Sequence, residues 1–500
     1  MRLPRACGVL LHPTSLPGPH GSGDFGADAR HFVDWLASAG QRLWQVLPLG
    51  GIGPGDSPYM SPSAFAGNEW LVDLVELRLQ GWLDADDVAP LTGGDPGRVD
   101  YATTIPFRRQ RLEKAAAAFT ARGTPEQRQS FERFGAAQVD WLDDYALFMA
   151  LGEVHGADRG VDWCDWPAPL ARREPAALAA AAAELAPRLA FWRFAQWCFD
   201  RQWTALRAHA HERGVQIVGD APIFVAHHSA DVWSHPELFD LDDRGRPRVV
   251  AGVPPDFFSA VGQRWGNPLY RWDAHAKDDY AWWVRRIRHD FERVDLLRID
   301  HFRGFAAHWE IPAEEATAVR GRWVPGPGER LFKAVAKALG PMPIIAEDLG
   351  VITPDVDALR RKFAFPGMRI LQFAFSGDPH DRYLPHNHEP DTVVYTGTHD
   401  NNTVAGWWAE AGEAERHFAR GYLATDGHDM PWTMIRAACA SVADTCIVPM
   451  QDVLCLPADC RMNLPGQGSG WWRWRLQWSQ VHPWHAQRLS ELCRLYGRLG

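Results

Sequence analysis

The sequence predicts an α/β protein built on a (β/α)₈ TIM barrel with inserted, mainly helical subdomains. Two observations carry this prediction: eight short apolar runs recur along the chain, and helical stretches separate them. Several runs are almost continuously apolar, which is typical of parallel strands covered on both faces. Eight strands that alternate with helices favour a closed barrel over an open doubly wound sheet.

The apolar runs are unevenly spaced. They begin at Gly8, Leu43, Val215, Val294, Pro343, Arg369, Thr392 and Cys446. The long gap between the second and third runs holds alanine-rich stretches and a helical pattern from Val139, so we expect an inserted helical subdomain at about residues 75–205. Residues 225–275 are rich in Pro, Gly and aromatics and are expected to form active-site loops. The remainder is expected to complete one barrel domain over residues 1–500.

Composition and charge exclude several classes of partner. The formal net charge is −10 and no long basic run occurs, which argues against binding to nucleic acid or to an anionic membrane. The N-terminal apolar stretch, residues 6–11, is too short for a signal peptide, and no run reaches the ~18 apolar residues of a membrane span. Eight dispersed cysteines without a CxxC pair fit a reduced protein. We therefore expect a cytoplasmic location, and the oligomeric state stays open.

Acidic residues follow several runs at the point where each strand is predicted to end. In chain order these endings are Asp220, Arg298 with Asp300, Glu347 with Asp348, and His399 with Asp400. The active site of a barrel lies at the C-terminal ends of its strands, so these side chains are expected to meet in one mouth. A single Asp after a strand is more often a helix cap or a turn former. Crowded carboxylates repel and gain nothing for folding, so the set indicates function.

Clustered carboxylates commonly serve either metal binding or glycosyl transfer. The histidines within residues 227–235 lack the spacing of a metal motif, so we predict no metal and no cofactor. Retaining glycosyl transfer needs one acid with a raised pKa and one ionised carboxylate, about 5–5.5 Å apart. Arg298 can hold the Asp300 carboxylate ionised, because both lie on one strand face. The apolar run before Glu347 favours the protonated acid.

Motifs around these residues extend over nearly the whole chain. They are LHPTSLPGPHGSGDFG at Leu11, SPYMSPSAFAGN at Ser57, GDAPIFVAHHSADVW at Gly219, AGVPPDFFSAVGQRWGNPLYRW at Ala251, RIDHFRGF at Arg298, AEDLG at Ala346, YTGTHDNNT at Tyr395 and RMNLPG at Arg461. In their residues and order they resemble the amylomaltase family, the 4-α-glucanotransferases of glycoside hydrolase family 77. The resemblance implies a barrel with inserted subdomains that transfers α-1,4-glucan segments between maltodextrins derived from starch or glycogen.

The resemblance also implies a role for each matching residue. It assigns the nucleophile to Asp300, the general acid/base to Glu347 and the carboxylate that stabilises the transition state to Asp400. The implied substrate-binding residues are Ser57, Tyr59, Asp220, Asp256, Trp265, Arg298, His301, His399 and Asn463. Asp256 and Trp265 belong to a loop, residues 251–272, that resembles the one covering the glucan in this family.

Two alternatives stay open on the residues alone. One is an α-glucan hydrolase on the same scaffold, and the other is a non-catalytic glucan-binding protein on a degenerate barrel. The intact set of three carboxylates argues against the second, and the preference for transfer over hydrolysis comes from the resemblance. The smallest donor, the preferred chain length, the formation of cyclic glucans and the pathway are left open.

Overall fold

The computed structural model describes residues 3–255 and 259–499. The β-strands of these residues are β1 (Ala6–Leu10), β2 (Leu43–Gln45), β3 (Gln216–Ala221), β4 (Val249–Val253), β5 (Gln263–Pro268), β6 (Leu296–Ile299), β7 (Ala307–Pro312), β8 (Arg322–Pro325), β9 (Ile344–Ala346), β10 (Gly367–Ile370), β11 (Thr392–Tyr395) and β12 (Thr445–Pro449). Their α-helices are α1 (Ala27–Ser38), α2 (Leu74–Leu79), α3 (Tyr101–Arg122), α4 (Pro125–Ala137), α5 (Leu142–His155), α6 (Ala168–Ala171), α7 (Pro175–Glu184), α8 (Ala186–Glu212), α9 (Ala230–Ser234), α10 (Trp272–His275), α11 (Ala281–Arg293), α12 (Glu329–Leu339), α13 (Pro354–Lys362), α14 (Val404–Glu410), α15 (Glu413–Leu423), α16 (Met430–Ala440), α17 (Met450–Val453) and α18 (Pro483–Leu495).

Eight of the strands form one parallel sheet that curls into a nearly closed barrel. Their order is β10-β11-β12-β1-β2-β3-β6-β9, which is the chain order around a ring. The two end strands approach each other, because the Ala346 N–H donates to the Pro366 carbonyl at 2.9 Å, one residue before β10. Each of the eight predicted runs overlaps one of these strands. The predicted fold class is therefore confirmed.

Burial explains why the barrel strands read as continuous apolar runs. Every residue of seven of the eight strands is buried, and β3 has a single exposed residue at its start. Side chains alternate between the barrel interior and the surrounding helices, so neither face meets water. The sequence consequently shows no polar alternation in these strands.

The residues between β2 and β3 are mostly helical, from α2 through α8. The last of these helices, α8, packs against α1 and β3, and it buries Trp192 and Trp203 completely or nearly so. This helix therefore covers the barrel wall as well as contacting α3, α4 and α5. The division of the chain into a barrel and a helical subdomain at about 75–205 stays a prediction. No helix among the described residues is both long and apolar enough to cross a bilayer.

A second, four-stranded antiparallel sheet has the order β5-β4-β7-β8. The Pro and Gly content predicts loops throughout residues 225–275. Strands β4 and β5 lie within this segment, so part of it is sheet. The difference arises because β4 pairs with β7, far away along the chain, and local composition does not reveal that pairing. Strand β7 begins eight residues after the end of β6, through the turn Phe302–Phe305, which puts the small sheet beside the C-terminal end of the barrel.

Candidate active site

Arg298 joins two of the predicted carboxylates. It lies on β6, and the register of the parallel pair puts it opposite Asp220 on β3. One guanidinium nitrogen donates to both Asp220 carboxylate oxygens at 2.7 Å, and the other donates to Asp300 at 2.8 Å. The Asp220 side chain is fully buried, whereas that of Asp300 is 29% exposed. Arg298 therefore holds Asp300 at the barrel mouth, the opening at the C-terminal ends of the strands, and neutralises Asp220 beneath it.

Glu347 follows β9 and is held by two backbone donors. The His301 N–H donates to one carboxyl oxygen at 2.6 Å, and the Leu349 N–H donates to the other at 2.9 Å. Burial raises the pKa of Glu347 to about 8, and the nearby negative charge of Asp300 adds to that rise. The two N–H donors and Arg298 favour the ionised form but do not outweigh burial. Glu347 is therefore suited to carry a proton near neutral pH.

The predicted nucleophile has a different electrostatic setting. Burial raises the pKa of Asp300 above its ordinary value, while the positive charge of Arg298 opposes that rise. The direct hydrogen bond from Arg298 stabilises the carboxylate form of Asp300. Glu347 has no such cationic partner within ion-pair distance in the described part of the chain. The two carboxyl groups therefore differ in their surroundings, because the cation that opposes the effect of burial is bonded directly to Asp300 alone of the two.

Asp400 follows β11, and a later segment that contains Arg461 and Asn463 holds it in place. The Asn463 side-chain amide donates to an Asp400 carboxylate oxygen at 2.6 Å, and the His399 ring nitrogen lies 3.3 Å from the same oxygen. The Asn463 N–H also donates to the His399 carbonyl at 3.1 Å, and Arg461 donates to the Asp400 carbonyl. The Asp400 side chain is 40% exposed, so its carboxylate reaches the open mouth.

Tyr59 contacts both Asp220 and His399. Its hydroxyl donates to Asp220 at 2.8 Å, and its ring stacks on His399 with centroids 5.2 Å apart. The Ser57 hydroxyl accepts from the Tyr59 N–H at 3.2 Å and caps the short turn Pro58–Met60. Trp472 packs against the Tyr59 ring at 5.7 Å. Ser57 therefore stabilises the turn that presents Tyr59 to the mouth.

Trp265 brings the small sheet into contact with the mouth. It lies on β5, and its ring meets the His301 ring edge-on, with centroids 4.8 Å apart. Burial lowers the pKa of His301 to about 3, so this imidazole is neutral. His301 has a φ of 49°, a left-handed conformation that a non-glycine residue seldom adopts. Asp256, also predicted to bind substrate, lies outside the described residues.

Asp348, the residue that follows Glu347, is not part of the acidic group at the mouth. The Asp348 side chain is fully buried, accepts from the Met368 N–H at 2.6 Å and pairs with Arg382 at 2.9 Å. It therefore ties β9 to β10 and has a structural role.

Sequence reasoning did not single out Arg461 or Trp472, although the first opens the quoted RMNLPG motif and the second lies in a Trp-rich segment.

Among the described residues, the carboxylates of the mouth are not arranged as a metal centre. Its carboxylates are engaged by Arg298, by Asn463 and by backbone N–H groups. In residues 3–255 and 259–499, the one group of side chains with metal-ligand spacing consists of three cysteines. These lie on or beside β1 and β12, outside the mouth. A barrel mouth that holds a glutamic acid with a raised pKa beside an arginine-bound aspartate is the arrangement used by enzymes that act on glycosidic bonds.

Comparisons with known proteins narrow this class. A family model described as 4-alpha-glucanotransferase, glycoside hydrolase family 77, matches residues 11–481. The chain is 50% identical to a 4-alpha-glucanotransferase of Thermus thermophilus over the full length of both proteins. It is 46% identical to one of Synechocystis sp., covering 99% of this chain and 98% of the relative. An amylomaltase of Streptococcus agalactiae, solved in complex with acarbose, has a TM-score of 0.96 and 40% identity, covering 99% of both chains. The chain belongs to the 4-alpha-glucanotransferase family.

Proposed function

We propose that this chain is a 4-α-glucanotransferase that transfers α-1,4-glucan segments from a donor to an acceptor maltodextrin by a retaining double displacement. The observation that carries the proposal is the pair of unlike carboxyl groups, Glu347 with a pKa raised to about 8 and Asp300 bound to Arg298. Retaining enzymes need this combination of proton donor and ionised nucleophile. Membership of the family supports the choice of glucan as substrate.

In the first step, Glu347 protonates the glycosidic oxygen while the Asp300 carboxylate attacks the anomeric carbon. The bond to the leaving chain breaks and a glycosyl ester forms on Asp300. The backbone donors on Glu347 become more favourable as it ionises, because an N–H group stabilises a carboxylate more than a neutral acid. This change in hydrogen-bond strength supports transfer of the proton to the departing oxygen.

Asp400 has a different proposed task. Its carboxylate would accept hydrogen bonds from hydroxyls of the donor sugar, and these bonds strengthen as the ring flattens toward the transition state. Asn463 and His399 both contact the same Asp400 oxygen, which leaves the second oxygen for a ligand. Such fixed orientation favours the transition state over the ground state.

In the second step, ionised Glu347 removes the proton from the 4-hydroxyl of an acceptor glucan. That oxygen attacks the glycosyl ester, a new α-1,4 bond forms, and Asp300 leaves as a carboxylate. Transfer requires that the acceptor sugar outcompetes water at the ester. The aromatic rings of Tyr59, Trp265 and Trp472 supply apolar faces around the mouth for bound sugars.

Two finer points belong to the same proposal. The substrates would be maltodextrins derived from starch or glycogen, as the family membership suggests. The cytoplasm is the proposed location, supported by the eight cysteines, none of which forms a disulfide.

Incubation with maltotriose tests the proposal and separates it from its alternatives. Transfer produces glucose together with a ladder of longer dextrins, resolved by anion-exchange chromatography. Conversion to glucose and maltose alone would instead identify a hydrolase. Binding of maltotriose without any product would identify a glucan-binding protein. An Asp300→Ala variant serves as the matched control for background activity.

A further inference from the structure

Four of the eight cysteines meet at one place away from the barrel mouth. Cys7 on β1 is opposite Cys446 on the neighbouring strand β12. Cys439 on α16 and Cys493 on α18 approach the same point from the helices that cover these strands. All four side chains are at most 2% exposed. Their positions in the chain are far apart, so the fold alone brings them together.

Three of these thiols have the spacing of ligands around one metal ion. The Cys439 sulfur lies 3.8 Å from that of Cys7 and 4.0 Å from that of Cys446, and all three sulfurs lie within 4.8 Å of one another. Tetrahedral Zn–S bonds of about 2.3 Å separate two ligand sulfurs by about 3.8 Å. The thiol cluster, Cys7 with Cys439 and Cys446, therefore needs little movement to surround a zinc ion.

The charge around the thiol cluster is a second, independent observation. Arg498 is fully buried, and its guanidinium donates to the carbonyls of Cys439 at 2.7 Å and of Ala443 at 2.9 Å. Arg5 donates to the Ala443 carbonyl at 3.1 Å. Among the described residues, the hydrogen bonds of the Arg498 side chain go to backbone carbonyls. The buried Asp444 carboxylate contributes negative charge near Arg5. Two arginines and one carboxylate leave this place with a net positive charge, which further negative charge nearby would stabilise.

A metal held by three thiolates supplies that negative charge. A divalent cation bound to three thiolates has a net charge of −1, which opposes the positive charge of Arg498 and Arg5. The neighbouring Cys493 thiol is also buried, and the Gln41 amide donates to its sulfur at 3.3 Å. Donors of this kind orient and stabilise sulfur ligands around a metal.

We propose that Cys7, Cys439 and Cys446 bind one Zn²⁺ ion as thiolates, with Cys493 beside them as the nearest fourth ligand. Binding replaces the protons of three thiols, which leave to solvent, and no electron is transferred. The ion links the first and last barrel strands to α16, so it stabilises the closure of the barrel and takes no part in glycosyl transfer. The ligands are too widely separated along the chain for a spacing motif, so the sequence predicts no metal.

Zinc analysis of the full-length protein, purified without chelators, tests the proposal. We expect about one zinc per chain, released only when the protein is unfolded. Cys7→Ser and Cys446→Ser should each lower the bound zinc at least tenfold. Cys455→Ser alters an exposed cysteine outside the thiol cluster and should keep the full content. Equal zinc content in all three variants would overturn the proposal.

A second measurement does not depend on the folding of any variant. The unaltered chain is unfolded in reductant and refolded with Co²⁺ or with Zn²⁺ as the only added metal. We expect a thiolate-to-cobalt charge-transfer band, and its loss when Zn²⁺ is then added. Refolding to full activity without a band and without bound zinc would overturn the proposal. So would a disulfide between two cysteines of the thiol cluster in the native protein, located by mass analysis of its proteolytic peptides.

Discussion

The backbone N–H of His301 donates to the Glu347 carboxyl group at 2.6 Å. Since His301 directly follows Asp300, the proposed acid is held by the residue next to the proposed nucleophile. The Glu347 N–H in turn donates to the Ile299 carbonyl at 3.1 Å. Backbone groups, and not flexible side chains, therefore determine how the ends of β6 and β9 face each other. Such rigidity is what double displacement requires of its two carboxyl groups.

Replacement of Asp300 by Ala is expected to abolish the covalent step. Without the nucleophile, transfer from maltotriose should fall by roughly 10⁴-fold or more. The rate is measured as glucose release with product chromatography. Asp158→Ala, which alters a carboxylate that is 75% exposed and far along the chain, is the control and should retain the normal rate. Near-normal transfer by Asp300→Ala would refute the assignment.

Activity should depend on pH through both carboxyl groups. Glu347 must be protonated for the first step, and its pKa of about 8 predicts that kcat/KM falls as the pH rises through that value. Asp300 must be ionised, and its raised pKa predicts loss of activity at acid pH that begins above the ordinary aspartate range. Initial rates with maltotriose across the pH range give the profile. A value of kcat/KM that stays constant as the pH rises through about 8 would contradict the acid role of Glu347.

Glu347→Gln is expected to lose transfer from maltotriose but to recover part of the first step with an activated donor. An α-maltosyl donor with a good leaving group, such as fluoride, needs no protonation of the departing atom, so Asp300 can still attack it. Release of fluoride measures this step directly. The Asp300→Ala variant should show no such recovery. Equal failure of Glu347→Gln with both donors would count against its role as the acid.

The same variant should change how stability depends on pH. The folded pKa of Glu347 is raised to about 8 from an ordinary value of 4.5, so the folded state binds the proton more tightly than the unfolded state. The free energy of unfolding of the unaltered chain therefore falls as the pH rises between these two pKa values, by at most about 1.4 kcal/mol per pH unit. Gln does not ionise, so Glu347→Gln should gain stability relative to the unaltered chain as the pH increases. Denaturant unfolding at acid and alkaline pH checks this, and a constant difference would disprove it.

Asn463 is expected to act by positioning Asp400. Its side chain donates to the Asp400 carboxylate at 2.6 Å, and Asn463→Ala should lower kcat by about 10²-fold. Asn463→Asp places a second negative charge beside Asp400, so it should be slower still at neutral pH and recover partly on acidification. Separate measurement of kcat and KM across pH distinguishes positioning from lost sugar contact. A rise in KM alone, with kcat unchanged, would indicate that Asn463 contacts the sugar and does not position Asp400.

The sequence by itself determined the barrel and the positions of its acidic residues. Strands buried on both faces appear in the sequence as continuous apolar runs. Because the strands of a (β/α)₈ barrel are parallel, the residues that follow each run lie at the same end of the barrel. Asp220, Asp300, Glu347 and Asp400 could therefore be assigned to one mouth before any contact was known. The resemblance of the surrounding motifs then supplied individual roles, because local residue order is what such motifs preserve.

The tertiary structure decided everything that depends on partners far apart in the chain. Glu347 and Asp348 are adjacent, yet one is held by the His301 N–H and the other pairs with Arg382. The contact between Asn463 and Asp400, the pairing of β4 with β7 and the meeting of Cys7 with Cys439 all join residues distant in sequence. Hydrogen bonds, pKa shifts and ligand geometry arise from distances in space. Local composition and periodicity do not show which distant residues come into contact, because those contacts form only when the barrel closes.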